Sequence, residues 1–249
     1  MRKTIRILPA VLVAGLLATP VMLRAGDTHT SDDGYKSSQA SKSAKKDAKT
    51  AAKLSDAEAV LKAAAESKDE GIPRDLLEKA KCVGVFPSFK KVALGVGGEG
   101  GKGVFTCRTD HGMSGPAIYK IGGGSVGWQA GVKEADLVLL VMDDEAMNKL
   151  LNDDHVEIGT DVSATAGPVG HDAKMTDTQS SAQLLAWSRT HGAFAGASLD
   201  GLGLKQDDDD NAELYNKTVG AKEILTSDTD TLPVPQVAQS FVKTTEQYM

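Results

Sequence analysis

Between Cys82 and Val132 glycine interrupts every apolar run, and this stretch most constrains the fold. Val83 and Val85, then Val92, Leu94 and Val96, then Val104 and Phe105 form short apolar or alternating runs. Gly95, Gly97, Gly98, Gly100, Gly101 and Gly103 separate them. A period of two punctuated this way predicts antiparallel strands joined by tight connections. A second pair is predicted over Ala117–Ile121 and Ser125–Val132, turning at Gly122-Gly123-Gly124. Leu137-Val138-Leu139-Leu140-Val141 has no alternation and reads as a central strand buried on both faces.

Helical patterns flank this region. Ser55-Asp56-Ala57-Glu58 fits a capping box and sets a helix start, with Leu54, Ala57, Leu61 and Ala64 as an apolar stripe. A short helix follows Pro73, and another follows Asp143-Asp144. Val156–Thr165 alternates, Gly167–Gly170 is a turn, and Ala182–Ser188 with Ala193–Leu199 reads as a hairpin. From Asp207 onward the pattern is helical, and Pro233 and Pro235 precede a last helix through Phe241. The fold class is therefore α+β: a curved antiparallel sheet or partly closed β-barrel with flanking N- and C-terminal helices.

The N-terminus bears on compartment. Arg2, Lys3 and Arg6 precede an apolar stretch from Ile7 to Leu17, and cleavage after Ala25 fits a secretory signal peptide over residues 1–25. The alternative, an uncleaved anchor, has too short an apolar run, bracketed by Pro9 and Pro20. Residues 26–53 are mostly Ser, Lys, Ala, Asp and Thr with almost no large apolar side chain and read as a disordered or loosely helical tether, leaving residues 54–249 as a single domain. Without its first 25 residues the chain has 24 basic against 34 acidic residues, a net of −10. Such a balance argues against a nucleic-acid partner. An oxidising compartment permits one disulfide between Cys82 and Cys107; two buried small hydrophobes is the alternative, and Cα geometry decides.

Motifs for chemistry are weak. Gly95-Val96-Gly97-Gly98-Glu99-Gly100 matches a dinucleotide fingerprint in letters, but Lys102–Arg108 reads as a strand where a helix N-terminus is needed. Gly101-Lys102-Gly103 fails as a phosphate loop for want of a Ser or Thr. His29, His111, His155, His171 and His191 lack zinc spacing, and no nucleophile elbow accompanies His171-Asp172. Asp207–Asn211 has a calcium-like composition without the glycine and distal Glu of an EF-hand, and reads as a solvated turn and helix cap. No cofactor, metal or catalytic residue is expected.

One succession of blocks is specific. It comprises Phe86-Pro87-Ser88-Phe89-Lys90-Lys91, the glycines from Gly95 to Gly103, Gly115-Pro116-Ala117 and Gly122 to Gly131. Asp136–Met142, Ala166-Gly167-Pro168-Val169-Gly170 and Trp187-Ser188-Arg189 running to Gly201 complete it. In order and spacing it resembles the SYLF lipid-binding domain over roughly Ser55 to Tyr215. Met113 stands where a Trp is usual, Ile118 replaces an aromatic, and Asn216 follows Tyr215 where a Tyr-Gly pair is common.

The resemblance implies a non-enzymatic domain that binds anionic lipid, phosphoinositides in eukaryotic members. Some eukaryotic relatives also bind actin, which an exported protein would not meet. In those members lipid affinity is attributed to a basic stretch leading into the domain, which here corresponds to Lys45, Lys46, Lys49 and Lys53. Lys90, Lys91 and Lys102, beside the glycines, form a second candidate surface for phosphate on chemical grounds. The expectation is a bacterial exported protein, periplasmic or secreted, with anionic phospholipid or a membrane surface as partner. A periplasmic interaction or structural module with an envelope protein partner is the alternative, and an envelope hydrolase the third reading.

Overall fold

A computed structural model describes residues 32–170, 172–190 and 199–249. Residues 42–249 form one compact unit. No helix among the described residues is long and apolar enough to cross a membrane.

Two very long strands dominate. β1 spans Cys82–Thr109 and β3 spans Ala117–Val141, joined through the two-residue β2, Gly112–Met113. β1 and β3 pair antiparallel from Cys82↔Val141 to Phe105↔Ala117, with irregularities between Phe86 and Phe89 and between Ala93 and Gly95. At ~3.3 Å per residue a straight strand this long would span roughly 90 Å. Instead Cys82 and Cys107 sit with Cα atoms 3.9 Å apart and their sulfurs bonded, and Arg108 N–H donates to Lys81 C=O at 2.7 Å. The ribbon therefore coils until β1 meets itself. Two glycines make the approach possible: a Cβ on Gly103 would lie 2.3 Å from the Val85 carbonyl oxygen, and one on Gly84 would lie 2.5 Å from the Phe105 ring.

This corrects the expected role of the glycines. Gly95–Gly103 and Gly122–Gly124 lie inside continuous strands, where Gly98 faces Gly124 and Gly100 faces Gly122. A Cβ on Gly100 would lie 2.8 Å from the Ile121 carbonyl oxygen, and one on Gly123 would lie 2.7 Å from that of Gly201. Facing glycines let the ribbon bend and a neighbouring segment approach without breaking the ladder.

The last seven residues of β3 pair antiparallel with β6, Leu184–Thr190, and β5, Ala164–Ala166, adds to β6 in parallel. The opposite stretch of β3 pairs with β7, Gly203–Gln206, which carries β4, His155–Glu157. The outcome is a curled, mixed half-barrel with helices at both ends of the chain. The run after Asp136 is buried on both faces: Leu137, Leu139 and Val141 enter one core with Phe86, Phe105 and Tyr119. Val138 and Leu140 enter a second core with Leu54, Leu61, Leu76 and Phe241. Helices α3 (Asp144–Asn152) and α6 (Ala221–Thr226) contribute Leu150 and Ile224 to the first core. Helices α1 (Asp32–Glu66), α2 (Arg74–Lys79) and α7 (Gln239–Tyr248) cover the second. Each fully buried Leu there contributes about 2 kcal/mol. Two further short helices are α4 (Asp177–Ser180) and α5 (Asp208–Leu214).

α1 starts earlier than expected. It begins not at Ser55 but at Asp32, and runs through the segment read as a disordered or loosely helical tether. Buried Leu54, Ala57 and Leu61 dock its C-terminal half. Once that half is fixed, extension into an Ala- and Lys-rich segment adds residues of good helix propensity with no new nucleation cost. Thr244 Oγ1 of α7 donates to Glu58 Oε1 at 3.0 Å, and the Tyr248 hydroxyl bonds Glu66, so α7 holds α1 by side-chain bonds as well as by packing.

Candidate functional site

Helix geometry sorts the lysines of α1. At 3.6 residues per turn, positions 42, 45, 46, 49 and 53 fall within about 100° of arc. Lys45 and Lys49 are exposed and Lys53 is half-buried. Burial lowers the Lys53 pKa, and the charges of Lys102 and Lys49 lower it further, against the opposing pull of Asp210 and Asp56. A cation crowded by like charge is stabilised by an added anion, so the end of this face at Lys53 is chemically suited to a phosphate.

The lysines of β1 are placed differently. Lys90 Nζ lies 3.5 Å from Glu134, and Lys91 Nζ lies 3.1 Å from the Glu99 carboxylate, whose side chain is 6% exposed. Lys102 Nζ contacts Asp207 at 2.6 Å and Asp210 at 2.7 Å. Lys120 completes this network, 2.9 Å from the other Asp207 oxygen. Burial pushes the Asp207 carboxyl up, but hydrogen bonds from Lys102 and Lys120 outweigh it and hold the pKa below the ordinary value. Lys102 is shifted oppositely: burial lowers its pKa, and bonds to Asp207 and Asp210 more than restore it. The structure thus brings Lys102 near Lys53 of α1, while Lys90 is matched by Glu134 across the β1–β3 ladder and Lys91 by Glu99 of its own strand. The calcium-like run is likewise committed. Asp207 and Asp210 bind lysine, and the Asn211 side chain accepts from Ile118 N–H at 2.6 Å and donates to Ile118 C=O at 3.2 Å.

A cleft of about 630 Å³ opens between the C-terminal half of α1 and the β3–β6–β5 side of the sheet. Val60, Ala63 and Ala64 form the helix wall; Val138, Ala186 and Trp187 form the sheet wall. The loop after β5 closes one side. There the Trp187 indole N–H donates to Pro168 C=O at 2.7 Å, and its ring lies so near Gly167 that a Cβ would sit 2.1 Å away. Gly170, at φ +96°, donates its N–H to Gly71 C=O at 2.8 Å and ties the loop to the segment after α1. Val169 stands 59% exposed at the rim. Asp136 accepts from Arg189 at 3.1 Å and from the N–H of Ser88, which has φ +55°, at 3.2 Å. It thereby braces the β1 irregularity and an Arg189 side chain that remains 53% exposed.

Sequence reasoning misses this cleft, although Ala166–Gly170 and Trp187–Arg189 are among the blocks that carry the family resemblance. Val60, Ala63 and Ala64 are indistinguishable from a core stripe. Met113 and Ile118 are buried in the second core and do not line the cleft. Asn216 adopts φ +51°, a conformation that Asn tolerates better than most residues, where Gly is common. His111 lies 3.7 Å from Asp228 at the surface, and the His155 ring packs against Gly203. His29, His171 and His191 lie outside the described residues.

Residues 122–248 match the profile of Ysc84, described as "Las17-binding protein actin regulator". The chain belongs to the Ysc84 (SYLF) family. It is 30% identical over 174 residues to the SH3 domain-containing YSC84-like protein 1 of Mus musculus, covering 69% of this chain and 49% of that one. It is 29% identical over 161 residues to LAS seventeen-binding protein 3 of Saccharomyces cerevisiae, covering 63% of this chain and 35% of that one. The human YSC84-like protein 1 is 28% identical over 182 residues, covering 72% of this chain and 52% of that one. The chain thus spans about a third to a half of the curated relatives it matches. The Ysc84 match takes in the sheet wall of the cleft, Asp136 to Arg189, whereas the lysines of α1 lie before it.

Proposed function

We propose that this Ysc84-family chain is a non-enzymatic module that binds anionic phospholipid at a membrane surface of the bacterial envelope. The observation that carries the reading is the lysine arc of α1, where exposed Lys45 and Lys49 lead to a Lys53 crowded by like charge. Each lysine near an anionic surface contributes about 1 kcal/mol, and the attraction falls off within a Debye length. The Cys82–Cys107 disulfide suits an oxidising compartment, in keeping with the signal-peptide pattern over residues 1–25, which lie outside the described residues. These two features together support a location in the periplasm or outside the cell.

The description of the family as Las17-binding favours a second reading, a protein-interaction module with an envelope protein partner. Co-sedimentation of the full chain with vesicles separates the two. Binding to phosphatidylglycerol vesicles at low salt, weakening as salt rises and absent from phosphatidylcholine, is the expected result. Equal behaviour toward both vesicle types would remove the lipid reading, and a stoichiometric protein recovered from envelope extract would then favour the second.

A further inference from the structure

The lysine arc and the cleft share one helix face. Positions 60, 63 and 64 of α1 fall in the same arc of about 100° as positions 42, 45, 46, 49 and 53, because their separations are near multiples of the 3.6-residue turn. Lys53 and Val60 are seven residues apart, roughly 10 Å along the axis. Leu54, Ala57 and Leu61, one step around the helix, face the core. One continuous face therefore changes from cationic to apolar as it passes Asp56, the single acid on that arc between 42 and 64.

The cleft's own charges fix the orientation of a ligand. Two carboxylates, Glu70 and Asp136, stand against one guanidinium, Arg189. With a net of −1, the cleft repels a phosphate that the lysines upstream attract. Its walls suit an alkyl group: alanines and valines, with the indole donor already used by Pro168. Its volume of about 630 Å³ lies within the ~300–1,000 Å³ of small-molecule sites.

We infer that the cleft takes up one acyl chain of an anionic phospholipid while the phosphate rests on the lysine arc of α1. The protein then withdraws a single chain from the membrane surface and does more than adhere to it. This rests on the lipid reading, and the test distinguishes failure of the two. The chain has two tryptophans, Trp128 and Trp187, so Trp128→Phe leaves Trp187 as the sole indole reporter. Full chain carrying that change is titrated with a lysophosphatidylglycerol bearing a brominated acyl chain, below its micelle threshold.

One-to-one binding with quenching of Trp187 emission is expected. Ala63→Phe on the helix wall should weaken that binding at least about tenfold, as should Ser188→Phe at an exposed position of the opposite wall. Sedimentation with phosphatidylglycerol vesicles should be unchanged in both. Glycerophosphoglycerol, the headgroup alone, should bind without quenching. Vesicle binding without quenching, or quenching that neither Phe variant alters, overturns chain uptake and leaves the surface reading standing. Absence of both vesicle binding and quenching overturns the two together.

Discussion

The two sets of lysines, those of α1 and those of β1, differ in what stands opposite them. Lys45 and Lys49 project from a helix whose next turns carry few acids. Lys90, Lys91 and Lys102 each face a carboxylate set by the fold: Glu134 across the ladder, Glu99 farther along the same strand, and Asp207 with Asp210 from the start of α5. Residue type is identical; the partner decides the role. A lysine already paired with a buried carboxylate brings little attraction to a membrane and much to stability. An unmatched lysine does the reverse.

Charge reversal gives the largest separation between the sets. Lys49→Glu with Lys53→Glu should weaken binding to anionic vesicles by about a thousandfold at low salt, since two attractions near 1 kcal/mol become repulsions of similar size. Its melting temperature should stay close to the parent's. Flotation of the variant with undiminished lipid would break the comparison.

Lys102→Ala should act through stability. It leaves the Asp207 carboxylate, 2% exposed, with Lys120 as its remaining cation. Breaking a buried pair costs about 3–5 kcal/mol, discounted here to about 2 because Lys102 is itself a third exposed. Urea unfolding measures the loss. A midpoint equal to the parent's would show that the network stabilises nothing.

The acid limb sharpens the same point. Asp207 has a folded pKa held below its ordinary 3.8, so its stabilisation is full above that value and is lost as pH falls through the folded pKa. Acid unfolding of the parent should therefore steepen below about pH 4. Asp207→Asn should start from lower stability and show a shallower acid limb. Lys90→Ala, at an exposed pair with Glu134, should change unfolding by less than about 0.5 kcal/mol. A larger change would mean that exposure misjudges the pair.

What the sequence makes legible is local. Period-two runs mark the strands, and the unbroken run from Leu137 to Val141 marks the strand buried on both faces. The glycines mislead because a glycine that turns a hairpin and one that lets a ribbon bend look alike in isolation. Gly98 opposite Gly124 becomes a bend only once the strands pair. Ser55 carries a capping signature that a helix interior also tolerates. The ion pairs and the cleft are hidden by distance along the chain. Lys102 and Asp210 are 108 residues apart, and the cleft joins Ala64 to Trp187. Neither pairing leaves a local pattern.

Amide hydrogen exchange of the full chain, with and without phosphatidylglycerol vesicles, tests the role of the lysine arc most directly. Lipid binding through α1 predicts added protection in residues 42–66 and around the cleft at 166–170 and 184–190, with residues 88–103 of β1 unchanged. Protection confined to 88–103, with α1 exchanging as in the free protein, would contradict it.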